Sequence, residues 1–194
     1  MKMRDIAPCF RVNEISEPLN AIVMAKEFLV HTGQDTYYLK WTVIAIHNAL
    51  QGFMVLALMG TSSLSIIKWK EEYNGKTPYE VLNYPDKKLI GFSKLFKRIK
   101  SKQYMQNNEF KGTTHSINNS IKELNRIRNQ FIHYLPLGWS IGIQGIARIL
   151  LDSLLVISFL IKDYPEATRY YNKAEMLTIE ESIAACNSIL TSIA

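Results

Sequence analysis

The sequence predicts an all-α protein, a bundle of four to six helices with an antiparallel, up-and-down core. Apolar residues make up 47% of the 194 residues, which excludes a disordered chain. Apolar positions recur at helical spacing in several long stretches, and few other patterns are present. The length favours one domain, so we expect a preamble over residues 1–15 and a single helical domain over residues 16–194.

Local start and stop signals place the helices in order. The first is predicted over residues 18–30 with Ser16 as its N-cap, and the second over residues 36–59 with Asp35 as its cap. We expect the second helix to continue, kinked, to Trp69. The later predicted elements are a short helix opened by a Thr77–Glu80 capping box, a basic helix after Pro85, and helices over 114–134, 149–161 and 178–192, the last capped by Thr178.

No charged residue lies between Lys40 and Lys68, a run of 27 residues. About 20 apolar residues suffice to cross a bilayer, so this run allows a membrane-spanning helix. His47, Asn48 and Gln51 cluster within it, however, and polar groups in lipid are costly unless they are paired. The run therefore favours a core helix of a bundle outside the membrane, with the spanning helix as the alternative.

The net charge of +6 is concentrated in one part of the chain. Residues 87–111, the basic segment, hold eight basic residues and one acidic residue, so the rest of the chain is nearly neutral. Such a pattern is expected of a protein that binds phosphates, because Lys and Arg release counterions from nucleic acid. The alternative is a solvated helix face. The candidate RNA-binding residues are Lys94, Lys97, Arg98, Lys100 and Lys102.

The helix predicted over residues 114–134 carries an unusual charge. Five of six positions on its apolar seam are apolar, and the sixth is Arg128. An unpaired buried charge costs several kcal/mol, so Arg128 needs an anionic partner or a wet interface. Asp152 is a candidate partner for either Arg128 or Arg148. The seam positions are Ile117, Ile121, Leu124, Arg128, Phe131 and Leu135.

The geometry of an ideal helix separates Arg128 from His133. The two residues lie about 140° apart around the axis and about 7.5 Å apart along it. They can meet if the helix loosens before Pro136, or if a second copy of the helix brings two Arg and two His residues into one groove.

The segment Arg128-Asn129-Gln130-Phe131-Ile132-His133 resembles the R-x4-6-H motif of the HEPN superfamily, in which Asn commonly follows the Arg. The similarity covers roughly residues 16–192 and is closest to small stand-alone bacterial and plasmid HEPN proteins. In one branch of the family an adenylylated tyrosine lies two positions after the His; here that position is Leu135, and Tyr134 comes one residue early. Regulation by that route is therefore not expected.

The resemblance implies a HEPN-like bundle that forms a homodimer with a composite active site and cuts RNA without a metal. His133 would be the general acid and base, Arg128 would stabilise charge on the phosphorus, and Asn129 would orient the His or the phosphate. The implied setting is a cytoplasmic toxin or phage-defence protein with RNA, and an antitoxin or defence-system protein, as partners. A catalytically silent bundle that binds RNA, a nucleotide or a protein is the alternative.

Other residues are weaker candidates. His47 and Asn48 of the apolar run can face the groove, although a hydrogen-bonded core histidine is the alternative reading of His47. Tyr134 and Trp139 can stack on bases or pack the turn. Because neither clustered carboxylates nor paired Cys and His residues occur, we expect no metal and no cofactor.

Overall fold

The computed structural model describes residues 12–60, 63–112, 114–133 and 138–194. Across these ranges the chain is helical, with one isolated bridge between Ile67 and Leu89 and no strand, which confirms the all-α class. Six of the described helices have eight or more residues. The α-helices are α1 (Ser16–His31), α2 (Tyr38–Met59), α3 (Pro78–Leu82), α4 (Phe92–Ile99), α5 (Lys102–Met105), α6 (His115–Ile132), α7 (Ile143–Lys162) and α8 (Lys173–Ile193).

Helix α2 lies at the centre of the core. It packs against α1, α4, α6 and α7, and most of its residues from Leu39 to Leu58 are buried. Because α2 has neighbours on several sides, it has no wide polar face, which explains the long uncharged run in the sequence. One apolar cluster includes buried residues of all six long helices. A smaller cluster of Ile67, Tyr73 and Val81 lies under the excursion between α2 and α4.

Two described helices, α2 and α7, are long and apolar enough to cross a bilayer. In the most apolar 18-residue window of each helix, the share buried inside the protein is 67% for α2 and 44% for α7. Core helices of bundles also have this length and composition, so these two helices are weak evidence for a membrane span.

Two predicted N-caps are wrong. Ser16 is the first residue of α1, and the N-cap position is Ile15, which has no side-chain cap hydrogen bond. The Asn13 side chain accepts hydrogen bonds from the backbone N–H groups of Ile15 and Ser16, at 3.0 and 2.7 Å. Helix α8 begins at Lys173 under a capping box formed by Asn172 and Glu175. Thr178 lies inside α8 and donates its hydroxyl to the Ala174 carbonyl at 3.0 Å. In both cases a side-chain amide was available upstream of the predicted start.

Several helix ends also differ from the prediction. Helix α2 stops at Met59 because Gly60 adopts a positive φ of 52°, so the expected continuation to Trp69 is wrong. The basic helix is two helices, α4 and α5, separated at Lys100 and Ser101. Helix α7 starts at Ile143, six residues before the predicted start. The capping box of Thr77 and Glu80 is confirmed.

Helices α1 and α2 touch at Gly52, which allows a test of this packing. A Cβ atom at Gly52 would lie 2.7 Å from Pro18 Cβ, whereas one at Gly145 of α7 would meet nothing within 4 Å. Gly52→Ala is expected to destabilise the protein by about 1–2 kcal/mol through overpacking. The control Gly145→Ala is expected to be neutral or stabilising by up to about 1 kcal/mol. Urea unfolding measures both, and equal effects would contradict this packing.

Candidate functional site

Arg128 lies at the edge of the buried face of α6. The buried residues of this helix are Ile117, Ile121, Leu124 and Ile127, so the buried stripe runs through Ile127 and not through Arg128 as the seam predicted. Arg128 and Phe131 are half-buried beside it. This position keeps the aliphatic part of the Arg128 side chain against the protein while its guanidinium reaches a groove.

The guanidinium of Arg128 is only partly satisfied. Its Nη1 donates a hydrogen bond to Asn129 Oδ1 at 3.1 Å, and its Nε is buried without a hydrogen-bond partner among the described residues. No carboxylate of the described ranges lies within 4.0 Å of it. Among the described residues, Asp152 forms no ion pair with Arg128 or with Arg148. Asp152 instead accepts a hydrogen bond from Ser120 Oγ at 2.5 Å, and Arg148 donates one to the Ala194 carbonyl at 3.5 Å.

Arg128 opens onto a groove of about 340 Å³, which we call the Arg128 groove. Asn48, Gln51 and Gly52 of α2 form one wall with their amides and backbone, and Leu89 adds an apolar contact. Glu14 and Glu17, at the start of α1, also line it. The groove thus holds one permanent cation and two amides that can bind an anion, next to two carboxylates that oppose one.

His47 is a core residue and does not line the Arg128 groove. It is 1% exposed, its ring stacks on Phe92 at 4.2 Å, and its Nε2 lies 3.0 Å from Asn125 Oδ1. Since an amide oxygen only accepts, Nε2 is the donor. Burial, and to a lesser extent the positive charge of Arg128, lowers the pKa of His47 to about 4 despite the opposing Asn125 hydrogen bond. His47 is therefore neutral at cellular pH and unsuited to proton transfer there.

His133 is placed differently from Arg128. It caps the C-terminal end of α6, where its backbone N–H donates to the Asn129 carbonyl at 2.8 Å, and it is exposed. No hydrogen bond among the described residues joins Arg128 to His133 in one chain. Asn129 contacts both residues, through its side chain to Arg128 and through its backbone to His133. Within one chain its side chain therefore orients Arg128.

The residues of the basic segment divide into two groups. Lys94, Lys97 and Lys102 are exposed and free to meet a ligand. Arg98 is half-buried, donates a hydrogen bond to the Ser65 carbonyl and lies 4.6 Å over the Tyr104 ring, so it joins α4 to its neighbours. Lys100 is also half-buried and donates to Asn118 Oδ1 of α6 at 2.7 Å.

The turn after α6 is described only in part. Tyr134, expected in the groove or on a base, lies outside the described residues. Trp139 is 41% exposed, and its ring lies 5.1 Å from Phe131. Trp139 and Phe131 also line an apolar cavity of about 560 Å³ with Tyr37 and Lys40. Trp139 thus packs the turn on one side and remains accessible on the other.

Four residues of these sites carry no clear sequence signal. Glu14, just before α1, and Glu17, in its first turn, reach the Arg128 groove from far away in the chain, and Asn125 meets His47 across 78 positions. Lys122 lies beyond the basic segment but adjoins it in space. Of these four residues, only Asn125 could be associated with the site from local sequence, because it lies three residues before Arg128 on nearly the same side of α6.

No group of three or more His, Cys, Asp or Glu residues with metal-binding geometry occurs in the described ranges. No protein-family model matches the chain, and comparisons with curated proteins and with solved structures find no similar protein. The candidate functional residues are those of the Arg128 groove, His133 and the basic segment.

The low pKa of His47 predicts a pH effect on stability. From its ordinary value of 6.5 down to about 4, the unfolded chain binds a proton that the folded chain does not. The free energy of unfolding should therefore fall as the pH falls through this window, by up to about 3 kcal/mol from this group. Urea unfolding at a series of pH values measures the slope.

The variant His47→Gln should be less stable at neutral pH but lose stability less steeply between pH 6.5 and 4. His115→Gln, at an exposed position on α6, is the matched control and should keep the native slope. If the free energy of unfolding changed with pH identically in the native protein and in His47→Gln, folding would not lower the pKa of His47, and the prediction would be wrong.

Proposed function

We propose that this protein is a metal-independent endoribonuclease of the HEPN type, which acts in the cytoplasm as a toxin or in phage defence. The observation that carries the proposal is the state of Arg128. Its guanidinium lines an open groove, has no carboxylate within ion-pair distance among the described residues, and lies five residues before an exposed His133. A permanent cation held this way is suited to a phosphate oxygen.

The proposed reaction is an internal transfer at phosphorus. The ribose 2′-oxygen attacks the adjacent phosphorus as His133 takes the 2′-hydroxyl proton, and the bond from phosphorus to the 5′-oxygen breaks. The leaving 5′-oxygen takes a proton from the imidazolium of His133, which restores the neutral imidazole and leaves a 2′,3′-cyclic phosphate and a 5′-hydroxyl. Imidazole titrates near neutral pH and is suited to these transfers. Arg128 stabilises the charge that develops on the phosphoryl oxygens, and Asn129 holds the guanidinium in place.

The proposed site uses two chains. Arg128 lines the groove beside α2, whereas His133 lies exposed at the C-terminal end of α6 and is not among the described residues that line this groove. A two-fold axis beside this end of α6 would place His133 of one protomer next to Arg128 of the other, twice. The proposed active form is therefore a homodimer with a composite site, and an antitoxin or defence-system protein is the partner that would control it.

A second candidate is a HEPN-like bundle that binds RNA, a nucleotide or a protein without cutting. The two carboxylates of the Arg128 groove favour the protein ligand of this alternative, because Glu14 and Glu17 repel a phosphate there. Activity measurements separate the two candidates directly.

The purified protein is expected to cut RNA in the presence of EDTA and to leave 2′,3′-cyclic phosphate ends. Arg128→Ala and His133→Ala should each reduce the rate at least about 100-fold, because each removes a group that acts in the transition state. Gel analysis of a labelled RNA with chemical identification of its ends gives the measurement.

Matched controls lie on the same helix. Arg126→Ala removes an exposed arginine that is paired with Glu123 at 2.7 Å, and His115→Ala removes an exposed histidine at the other end of α6. Both should cut at the native rate. Full activity in His133→Ala would refute the catalytic assignment, and RNA binding without products in the native protein would establish the second candidate.

A mixing experiment tests the composite site. Neither Arg128→Ala nor His133→Ala alone has an intact pair, but a mixed dimer retains one Arg128 from one chain and one His133 from the other. An equimolar mixture should therefore recover about a quarter of the native activity after subunit exchange. No recovery despite demonstrated exchange would place both groups of a working site in the same chain.

A further inference from the structure

A second cleft on the protein gathers positive charge from two helices. It lies between α4 and α6, has a volume of about 310 Å³, and is lined by the ammonium-bearing side chains of Lys97, Lys100 and Lys122. Ser93 and Asn118 add a hydroxyl and an amide. We call it the lysine slot. Lys122 lies eleven positions beyond the end of the basic segment, so it joins Lys97 and Lys100 only when α6 packs beside α4.

Lys100 is held in the slot by identified contacts. Its Nζ donates to Asn118 Oδ1 at 2.7 Å and lies 4.3 Å from the centre of the Phe96 ring. The Asn118 amide is fixed in turn, because its Nδ2 donates to the Thr114 carbonyl at 3.1 Å. One ammonium of the slot is therefore placed before any ligand arrives, which lowers the entropy cost of binding.

No carboxylate is among the described residues that line the slot. Glu109 lines a neighbouring cavity, which Lys100 and Asn118 also border, and its carboxylate lies 4.0 Å from Lys111 Nζ. Burial, together with the positive charge of Lys122, lowers the pKa of Lys100. Three like charges around one cleft repel one another, and an anion in the cleft would relieve this repulsion.

We propose that the lysine slot is a binding site for a phosphate group. A phosphate presents several acceptor oxygens, and the slot offers the ammonium donors of Lys97, Lys100 and Lys122 with the Ser93 hydroxyl beside them. The phosphate belongs either to an RNA backbone or to a small phosphorylated molecule. An RNA backbone as the source of the phosphate rests on the function proposed above. The existence of a phosphate site in the slot does not depend on that function.

The slot and the Arg128 groove have no described lining residue in common. Lys122 precedes Arg128 by six residues, which is about 9 Å along the axis and about 120° around it. A ligand in the slot therefore does not occupy the Arg128 groove. The slot would hold a phosphate away from the reacting one.

The test uses the full chain with His133→Ala, so that RNA stays intact, and two probes: inorganic phosphate and a short oligouridylate. Phosphate should shift the backbone amide NMR signals of Ser93, Lys97, Asn118 and Lys122. The double variant Lys97→Gln/Lys122→Gln should lose these shifts and bind the oligouridylate about tenfold more weakly, with a salt slope lower by about 1.4. The matched control is Lys162→Gln/Lys173→Gln, which removes two exposed lysines elsewhere.

Circular dichroism and the thermal midpoint check that both double variants fold. Competition between oligouridylate and phosphate at the slot amides identifies an RNA backbone as the source, and phosphate binding without such competition identifies a small phosphorylated ligand. Absence of phosphate shifts at the slot, or an equal loss of RNA binding in both double variants, would overturn the site. If the native protein did not cut RNA, the binding results at the slot would be unaffected. The proposed cleavage and the proposed phosphate site can therefore fail separately.

Discussion

The hydrogen bond between His47 of α2 and Asn125 of α6 fixes which face α6 turns toward the rest of the protein. It lies inside the core, where His47 is 1% exposed and breaking the bond would leave polar groups buried and unpaired. Asn125 precedes Arg128 by about 60° around the helix and about 4.5 Å along it. Holding Asn125 against α2 therefore turns Arg128 toward Asn48 and the open groove. A rotation of α6 that buried Arg128 would also break this bond.

The same constraint bears on His133, which is not among the described residues that line the Arg128 groove. A helix anchored at Asn125 presents its later residues at fixed angles, and α6 ends at Ile132, so His133 has left the helical path and is exposed. Its backbone remains tied to Asn129, which also holds Arg128. Asn129 therefore couples the position of the guanidinium to the end of the helix. A partner chain that docked at this end would act on both groups at once.

Sequence patterns predicted the helices well because helix periodicity and burial are local properties. The uncharged run identified α2 as the core helix, and the Thr77–Glu80 pair marked the start of α3. The hydrogen bonds that Asn13 and Asn172 accept at the starts of α1 and α8 were missed because Ser16 and Thr178 offered equally suitable side chains nearby, and only the backbone geometry decides between such residues. The site was harder to predict, since the carboxylates of the Arg128 groove and Lys122 of the slot arrive through contacts between distant parts of the chain.

The RNA binding and the RNA cleavage that we propose would depend on charges in two different places. The Arg128 groove holds one guanidinium against the carboxylates of Glu14 and Glu17, so its own field does not attract a polyanion. The lysine slot holds three ammonium groups with no carboxylate among its described lining residues. An RNA that reached the groove would therefore owe most of its affinity to the slot and the exposed lysines of the basic segment. Arg128 would then contribute chiefly where negative charge increases, in the transition state, which is where a catalytic cation is effective.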